Sequence, residues 1–276
     1  MLPNFIIAGA EKSGTSTLAF HVSRHPDVYM PERKELHFFE TAHNFSKGIE
    51  WYCQWFAGWK NEKAVGECTP FYMYVADAAE RIKRHLPDAR IIFILRNPVD
   101  RAYSNYWHQV RGGKEYLSFE DAIEREASRV KKGVYHNLTY SYLRKGFYSE
   151  QLKRFYALFS PDQLLIVRFE DLAAHPQSVL ADVFQFLGVD PLRGPWAVHE
   201  QKNRAIVPRF IGMQFFTRKI FGRSVFFRAI ARLNLKLGKT MYLPMAKETR
   251  QRLNGYYSKE IESLDRLTGV GFDAWK

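Results

Sequence analysis

The segment between the first apolar run and the first helical pattern constrains the fold most strongly. Phe5–Ala8 is an apolar run typical of a buried strand, and a helical pattern begins at Thr15. Residues 9–14 between them read Gly-Ala-Glu-Lys-Ser-Gly, with two glycines five residues apart. Glycine permits a tight turn, and the free N–H groups at the start of a helix bind anions. The pattern predicts a phosphate-binding loop, and a plain strand-to-helix turn is the alternative.

The position of the lysine in this loop limits the class of nucleotide that the loop can bind. In nucleoside-triphosphate loops the lysine directly follows the second glycine, whereas this chain has Thr15 there and carries Lys12 inside the loop. A nucleotide without a γ-phosphate, bound without magnesium, therefore fits the pattern better than ATP.

Strand and helix patterns alternate along the chain. The apolar runs that predict buried strands are Phe5–Ala8, Ala64–Gly66, Ile91–Leu95 and Leu164–Val167, with a further short strand around Val28–Met30. The helical patterns cover Thr15–Arg24, Val75–Leu86, Val99–Val110, Ser118 to about Lys131, Ser149–Phe159, Gln177–Leu187 and Ala246–Leu267. This alternation predicts an α/β fold in three layers, with a central parallel sheet flanked by helices. Ligands of such sheets bind beyond the carboxyl ends of the strands.

A second phosphate contact is predicted at one of these carboxyl ends. Arg96 directly follows the apolar run Ile91–Leu95, and Ser104 lies two turns into the helix that begins after Asn97-Pro98. Because parallel strands end at one edge of the sheet, Arg96 and Ser104 can reach the same phosphate as a pair. For either residue alone, a solvated or capping role is the better interpretation.

Composition indicates a folded chain with an anionic partner. The 276 residues include 46% hydrophobic and 25% charged residues, which excludes a disordered or multi-span membrane chain. Lys and Arg exceed Asp and Glu by 41 to 29, which favours a nucleotide, an acidic glycan or a membrane surface as partner. Only Cys53 and Cys68 occur, so neither a disulfide framework nor a metal site is expected. The apolar run Phe5–Ala8 is too short for a secretory or spanning segment, and we expect a cytoplasmic protein.

Two motifs carry a family resemblance. Residues 12–18 (KSGTSTL) resemble the 5′-phosphosulfate loop, and residues 96–104 (RNPVDRAYS) the 3′-phosphate motif, of sulfotransferases that use 3′-phosphoadenosine 5′-phosphosulfate (PAPS). The resemblance implies a single sulfotransferase domain over residues 1–276, with PAPS as sulfonate donor and no metal. The residues implied for the donor are Lys12, Ser13, Gly14, Thr15, Ser16 and Thr17 at the 5′-phosphate and Arg96 and Ser104 at the 3′-phosphate. Lys12 would also stabilise the leaving group.

A third segment indicates the subgroup. Residues 34–40 (KELHFFE) are similar to a segment of heparan-sulfate and related carbohydrate sulfotransferases, in which the glutamate at the position of Glu35 is the general base. His37 has the same parity as Glu35 in an extended segment, so both can face one side. His37 is therefore the second candidate base, or a residue that orients Glu35. The alternative is that both only satisfy polar groups near the apolar pair that follows.

Other family segments match less closely. The heparan 3-O type has a lysine at the position of Cys68, which makes a heparan-like acceptor doubtful here. The family cations that close over the donor align with Lys202, Asn203 and Arg204. Residues 168–172 (RFEDL) also resemble a family segment, and we expect their acidic pair to cap the next helix.

Residues 206–243 combine aromatic and basic side chains. No acid occurs between Glu200 and Glu248, whereas eleven Lys or Arg do. A helical face packed on the core is one interpretation, and peripheral contact with a membrane or lipid-borne acceptor is another. Stacking on nucleic acid is a third, but no RNA- or DNA-binding motif supports it.

The sequence therefore predicts a sulfotransferase acting on a carbohydrate or glycolipid hydroxyl. A P-loop nucleoside or small-molecule kinase is an alternative enzyme, but it would need magnesium and a lysine after Gly14. A membrane-surface binding protein with a vestigial nucleotide site is the alternative from a different class.

Overall fold

The fold is built around one parallel sheet. The computed structural model describes residues 1–194, 207–222, 224–239 and 242–275. The described strands are β1 (Phe5–Gly9), β2 (Val28–Tyr29), β3 (Ala64–Cys68), β4 (Arg90–Leu95) and β5 (Leu164–Arg168). They pair in the order β2-β3-β1-β4-β5, and every pairing is parallel. The four apolar runs predicted β1, β3, β4 and β5, and β2 lies within the short strand expected around Val28–Met30.

Helices connect the strands in the predicted alternation. The described helices are α1 (Thr15–Val22), α2 (Ala42–Phe45), α3 (Ile49–Cys53), α4 (Ala76–His85), α5 (Pro98–Arg111), α6 (Phe119–Glu124), α7 (Glu126–Val130), α8 (Val134–Tyr140), α9 (Tyr148–Tyr156), α10 (Phe169–Ala174), α11 (Pro176–Leu187), α12 (Ile211–Phe221), α13 (Val225–Lys236) and α14 (Lys247–Thr268). The α/β class with a central parallel sheet is confirmed.

The predicted helix from Ser118 to about Lys131 is in fact two helices. α6 and α7 are separated by Arg125, which has φ −84° and ψ −1°. Directly after this break the buried carboxylate of Glu126 accepts hydrogen bonds from the backbone N–H groups of Leu143 (2.7 Å) and Arg144 (2.9 Å). These contacts join residues far apart in sequence, and a local helical pattern does not contain them.

The structure divides into two compact units. The first comprises the described residues within 1–96, 148–202 and 262–272, and it contains the whole sheet. Its core joins side chains of β1 and β4, such as Ile7 and Ile92, with Leu18 of α1 and Val183 of α11. The carboxyl ends of β1, β3, β4 and β5 lie at one edge of this sheet, which is where the site residues of this unit are found.

The second unit is helical. It comprises the described residues within 97–147, 203–261 and 273–276. Its interior holds the buried carboxylate of Glu115, which pairs with Arg129 (2.5 Å) and accepts a hydrogen bond from Tyr142 Oη (2.8 Å). That residues 1–276 form a single domain stays a prediction.

Candidate active site

The predicted phosphate-binding loop joins β1 to α1. Ser13 N donates a hydrogen bond to Ala10 O (3.2 Å), and Leu18 N donates to Gly14 O (3.0 Å). Gly14 is the N-cap of α1 with φ 93°, and no side chain caps the helix. A Cβ atom at Gly14 would lie 2.6 Å from Cδ2 of Phe169. The turn therefore requires glycine, and the start of α1 offers backbone N–H groups to an anion without a competing side-chain acceptor.

Two side chains of the loop fit an anionic ligand. Lys12 has φ 69°, a left-handed conformation that lysine rarely adopts, and strained conformations of this kind cluster at functional sites. Ser13 is fully buried, and its Oγ atom makes no hydrogen bond with the described part of the chain. A buried hydroxyl without a partner is unusual in a native structure and can donate to a bound oxygen. Thr15 is buried, whereas Ser16 and Thr17 are half-buried.

Arg96 lies beside this loop, as predicted from its place after β4. Its guanidinium group is 4.8 Å from the centroid of the Phe169 ring, which is the same ring that contacts Gly14. Tyr148 Oη donates a hydrogen bond to Arg96 O (2.9 Å). Sequence reasoning missed Phe169, although its position directly after β5 places it at the carboxyl edge of the sheet.

The residues around Phe169 form an ion pair and not a helix cap. Arg168 Nε and Nη2 donate hydrogen bonds to Asp171 Oδ2 (2.6 Å) and Oδ1 (3.0 Å), and Arg168 Nη1 donates to Gly271 O (2.7 Å). The N-cap residue of α10, Arg168, makes no capping hydrogen bond through its side chain. For Asp171 the expected capping role was wrong, because its carboxylate is held by the guanidinium group of Arg168.

The remaining donor-binding residues fall in different parts of the chain or outside the described residues. Ser104 is buried within α5, in the second unit, whereas Arg96 belongs to the first. Their joint binding of one phosphate stays a prediction. Lys202, Asn203 and Arg204 lie outside the described residues, so their closure over the donor also stays a prediction.

The segment that carries Glu35 and His37 is attached to the end of β3. Glu35 N donates a hydrogen bond to Cys68 O (3.1 Å), and Phe38 N donates to Tyr72 Oη (3.2 Å). Glu35 has φ 63° and His37 has φ 55°, so the segment is not extended as predicted. The two side chains nevertheless meet, with 3.5 Å between His37 Nε2 and Glu35 Oε2. Two left-handed residues bracket the buried Leu36 and leave their own side chains half-buried.

Charged side chains on both sides contact the pair formed by Glu35 and His37. Lys34 Nζ lies 3.2 Å from Glu35 Oε1, and His37 Nδ1 donates a hydrogen bond to the buried Glu40. That hydrogen bond is the main cause that raises the pKa of His37 above its ordinary 6.5, burial opposes it, and the charges of Glu40 and Glu35 add to the rise. The imidazole thus contacts a carboxylate through each nitrogen, which favours its protonated form and a fixed ring position.

One contact connects the phosphate-binding loop to residues 34–40, which we call the acidic segment. Lys34 Nζ donates a hydrogen bond to Ser16 Oγ in the first turn of α1, while the same ammonium group pairs with Glu35. The candidate base and the phosphate-binding loop are therefore joined through a single lysine. Sequence reasoning missed Lys34, although it directly precedes Glu35.

The buried carboxylate of Glu67 stabilises the acidic segment through a hydrogen-bonded cluster. Glu67 accepts hydrogen bonds from Thr69 Oγ1 (2.6 Å), Tyr72 Oη (2.6 Å) and Tyr52 Oη (2.8 Å). Burial raises the pKa of Glu67, and the three hydroxyl groups oppose that rise. Because Tyr72 also accepts the hydrogen bond from the Phe38 backbone, this cluster fixes the segment that carries the candidate base.

The described residues carry neither a metal-binding cluster nor a membrane-spanning helix. Within them, no group of three or more His, Cys, Asp or Glu side chains is placed to hold a metal ion. None of the described helices combines the length and the apolar character needed to cross a bilayer. That the reaction needs no metal stays a prediction.

Most of the chain matches a known protein family. Residues 2–206 match the model of the sulfotransferase domain. The chain belongs to the sulfotransferase family. The family and enzyme class are thus the ones predicted from the two phosphate motifs, and the fold is the one predicted from the alternation of strands and helices. The roles of individual residues stay predictions.

Several curated relatives are similar to this sulfotransferase. The bifunctional heparan sulfate N-deacetylase/N-sulfotransferase 4 of Mus musculus is 29% identical over 286 residues, covering 96% of this chain and 30% of that protein. The heparan sulfate glucosamine 3-O-sulfotransferase 5 of Mus musculus is 31% identical over 195 residues, covering 69% of this chain and 54% of that protein. The membrane-associated sulfotransferase kil1 of Dictyostelium discoideum is 27% identical over 269 residues, covering 68% of this chain and 56% of that protein. This chain therefore spans between 30% and 56% of the length of these relatives.

Solved structures show the same fold. A sulfotransferase from Alicyclobacillus acidocaldarius superposes with a TM-score of 0.76 at 29% identity, over 100% of this chain and 99% of that chain. A mouse sulfotransferase complexed with PAP superposes with a TM-score of 0.55 at 16% identity, over 97% of this chain and 87% of that chain. At that identity the second likeness concerns the fold alone.

Proposed function

We propose that this sulfotransferase transfers the sulfonate group of PAPS to a hydroxyl group of a carbohydrate or glycolipid. The observation that carries the proposal is the bridge through Lys34, which contacts both the phosphate-binding loop at Ser16 and the candidate base Glu35. A donor held by the loop and an acceptor held at Glu35 would then meet within one unit.

The loop residues fit the 5′-phosphosulfate end of PAPS. The uncapped start of α1 and the unpartnered Oγ atom of Ser13 supply donors for phosphate oxygens. Gly14 lets Phe169 pack closely against the loop, because a Cβ atom there would lie 2.6 Å from its ring. Lys12 would neutralise the charge that grows on the bridging oxygen as the bond to sulfur breaks. Arg96, with Ser104, would hold the 3′-phosphate.

The acidic segment supplies the proton acceptor. The acceptor oxygen forms a bond to sulfur, the bond from sulfur to the bridging phosphate oxygen breaks, and the acceptor proton moves to a carboxylate oxygen of Glu35. Adenosine 3′,5′-bisphosphate and a sulfate ester leave. His37 would act as a positioning residue and not as the base, because its raised pKa and its contacts with Glu35 and Glu40 favour the protonated ring.

The acceptor class is proposed from two observations. The relatives named above include heparan sulfate sulfotransferases, and their names concern carbohydrate acceptors. At Cys68, where the heparan 3-O type has a lysine, burial raises the thiol pKa to about 12, so this position carries no charge near neutral pH. A less acidic carbohydrate or a glycolipid therefore fits better than a highly sulfated chain.

The alternative functions differ from the proposed one in the ligands that they require. Family membership does not support a P-loop kinase. A membrane-surface protein with a vestigial nucleotide site predicts a loop that binds no bisphosphate. One relative is described as membrane-associated, and for this chain both peripheral membrane contact through residues 206–243 and a cytoplasmic location remain proposals.

Transfer of radiolabelled sulfonate from PAPS to a panel of polysaccharides and glycolipids tests the reaction. Glu35→Gln should lower turnover by about a hundredfold or more, the usual contribution of a general base, with unchanged affinity for adenosine 3′,5′-bisphosphate. Glu32→Gln is the matched control, since it removes an exposed carboxylate three residues away. Equal turnover of the two variants would contradict Glu35 as base, and weaker bisphosphate binding by Glu35→Gln would make it a structural residue.

A further inference from the structure

The hairpin formed by α12 and α13 in the second unit directs amide side chains inward. Gln214 and Asn234 are 0% and 1% exposed. Asn234 Nδ2 donates hydrogen bonds to Gln214 Oε1 (2.8 Å) and Phe210 O (2.9 Å), and Gln214 Nε2 donates to Arg111 O (2.8 Å). These bonds satisfy the buried amides. The two helices are thus joined partly through polar groups, beside the buried Phe227.

The other side of the hairpin exposes large apolar side chains. They recur at helical spacing, and we define this outer face by Met213, Phe216, Ile220, Phe226, Leu233 and Leu237. Ile220 and Phe226 are 72% and 71% exposed. The rings of Phe221 and Phe226 lie 6.1 Å apart and connect the two helices along this face. Because a soluble protein rarely exposes a continuous apolar patch, the outer face indicates a partner.

Cations border the outer face. Arg228, Arg232 and Lys236 recur every four residues along α13, and all three are exposed. At this spacing they form one stripe along α13, in which Lys236 is the i+3 neighbour of Leu233 on the helix surface. The sequence from residue 201 to residue 247 contains no acid that could neutralise them. The partner must therefore combine an apolar phase with negative charge.

We propose that the outer face docks on an anionic phospholipid bilayer, with its apolar side chains in the interface and the cationic stripe on the lipid phosphates. This combination is the recognised pattern of helices that lie in the membrane interface. A second copy of the chain is a poor occupant, because each copy would bring the same unneutralised cations to the contact. The proposal uses residues of the second unit alone and does not depend on the proposed transfer reaction.

Co-sedimentation with vesicles tests the proposal without donor or acceptor. The wild-type chain should bind phosphatidylglycerol-containing vesicles at low salt, but not pure phosphatidylcholine vesicles. Replacing Arg228, Arg232 and Lys236 by Gln should weaken binding on the order of a hundredfold at low salt, since each surface cation contributes about fivefold. The Ile220→Ser, Leu233→Ser variant should weaken binding about tenfold or more and leave the salt dependence unchanged.

Matched control variants show whether a loss of binding is specific to the outer face or follows from any loss of charge or apolar surface. Arg125, Lys131 and Lys132 are exposed cations of the same unit, and their triple replacement by Gln removes the same charge. Val134→Ser with Leu192→Ser removes two exposed apolar side chains elsewhere. Both controls should bind vesicles like the wild type, and circular dichroism should show that all variants are folded. Absence of wild-type binding at low salt, equal losses in variants and controls, or self-association that buries the same residues would each overturn the proposal.

Discussion

At the residue scale, the contact between Glu35 and His37 depends on two backbone conformations. Both residues have positive φ values, and the amide of Glu35 is held by Cys68 O at the end of β3. Residues in such conformations persist only where the surroundings over-determine them. The hydrogen bonds and the buried Phe38 of this segment provide that support, so the candidate base is placed before any substrate arrives.

The raised pKa of His37 makes stability depend on pH. Protonated His37 interacts with Glu40 and Glu35, so the folded protein binds this proton more tightly than the unfolded chain does. The resulting stabilisation is fully present below pH 6.5, the ordinary pKa, and is lost as pH rises through the raised pKa of the folded state. Urea unfolding at several pH values should show His37→Gln losing stability relative to the wild type at low pH, with the difference shrinking as pH rises.

The exposed His43 provides the control for that measurement. His43→Gln removes a histidine from α2 without touching the Glu35 segment. A difference between wild type and His37→Gln that stays constant across this pH range, or that His43→Gln reproduces, would show that the ion pairs of His37 do not act as described.

At the element scale, the turn between β1 and α1 depends on α10 as well as on its own glycines. Gly14→Ala would impose φ 93° on alanine and place its Cβ atom 2.6 Å from Phe169. We expect a loss of about 1–3 kcal/mol in the free energy of unfolding from strain, with a further loss from the clash, and weaker binding of adenosine 3′,5′-bisphosphate. Gly133→Ala is the control, because Gly133 has φ 125° and open space around its Cβ position. Equal destabilisation of the two variants in chemical unfolding would show that contact with α10 does not shape the loop.

The end of β4 should discriminate between nucleotides. Arg96→Ala should weaken adenosine 3′,5′-bisphosphate by roughly ten- to a hundredfold, which is the value of a charge-assisted hydrogen bond, and barely affect adenosine 5′-phosphate. Arg24→Ala is the control, since Arg24 also lies over a phenylalanine ring, 5.2 Å from the centroid of Phe20. Calorimetric titration measures both ligands. Equal losses for the two nucleotides would assign Arg96 to the sheet edge and not to a phosphate.

Local patterns predicted most of the elements but not the contacts between them. The strands were predictable because buried runs such as Ile91–Leu95 must be apolar throughout. Of the three hydroxyl donors of Glu67, Thr69 and Tyr72 lie close to it in sequence and Tyr52 does not, and no local pattern predicts that all three meet at one carboxylate. The same holds for Phe169, whose ring contacts two elements. Positive φ at Glu35 was also unpredictable, since glutamate rarely adopts it, whereas at His37 it is less unusual because histidine is enriched in this conformation.

At the scale of the whole molecule, charge is concentrated in one part of the chain. Eleven Lys or Arg fall between Glu200 and Glu248, out of a net charge of +12, so the remaining sequence is nearly neutral. The proposed donor site needs few cations, and those in the described first unit are Lys12 and Arg96. The excess therefore points to a second anionic partner, consistent with the proposed docking of the outer face on lipid.

The central claim is that this sulfotransferase binds its donor through the loop between β1 and α1 without a metal. Calorimetric titration of the wild-type chain with adenosine 3′,5′-bisphosphate in excess EDTA tests it most directly. We predict binding to one site with an affinity that magnesium does not change, and a large loss of affinity in Lys12→Ala while the fold is retained. Absence of binding in EDTA, binding that appears only with magnesium, or wild-type affinity in Lys12→Ala would contradict the account.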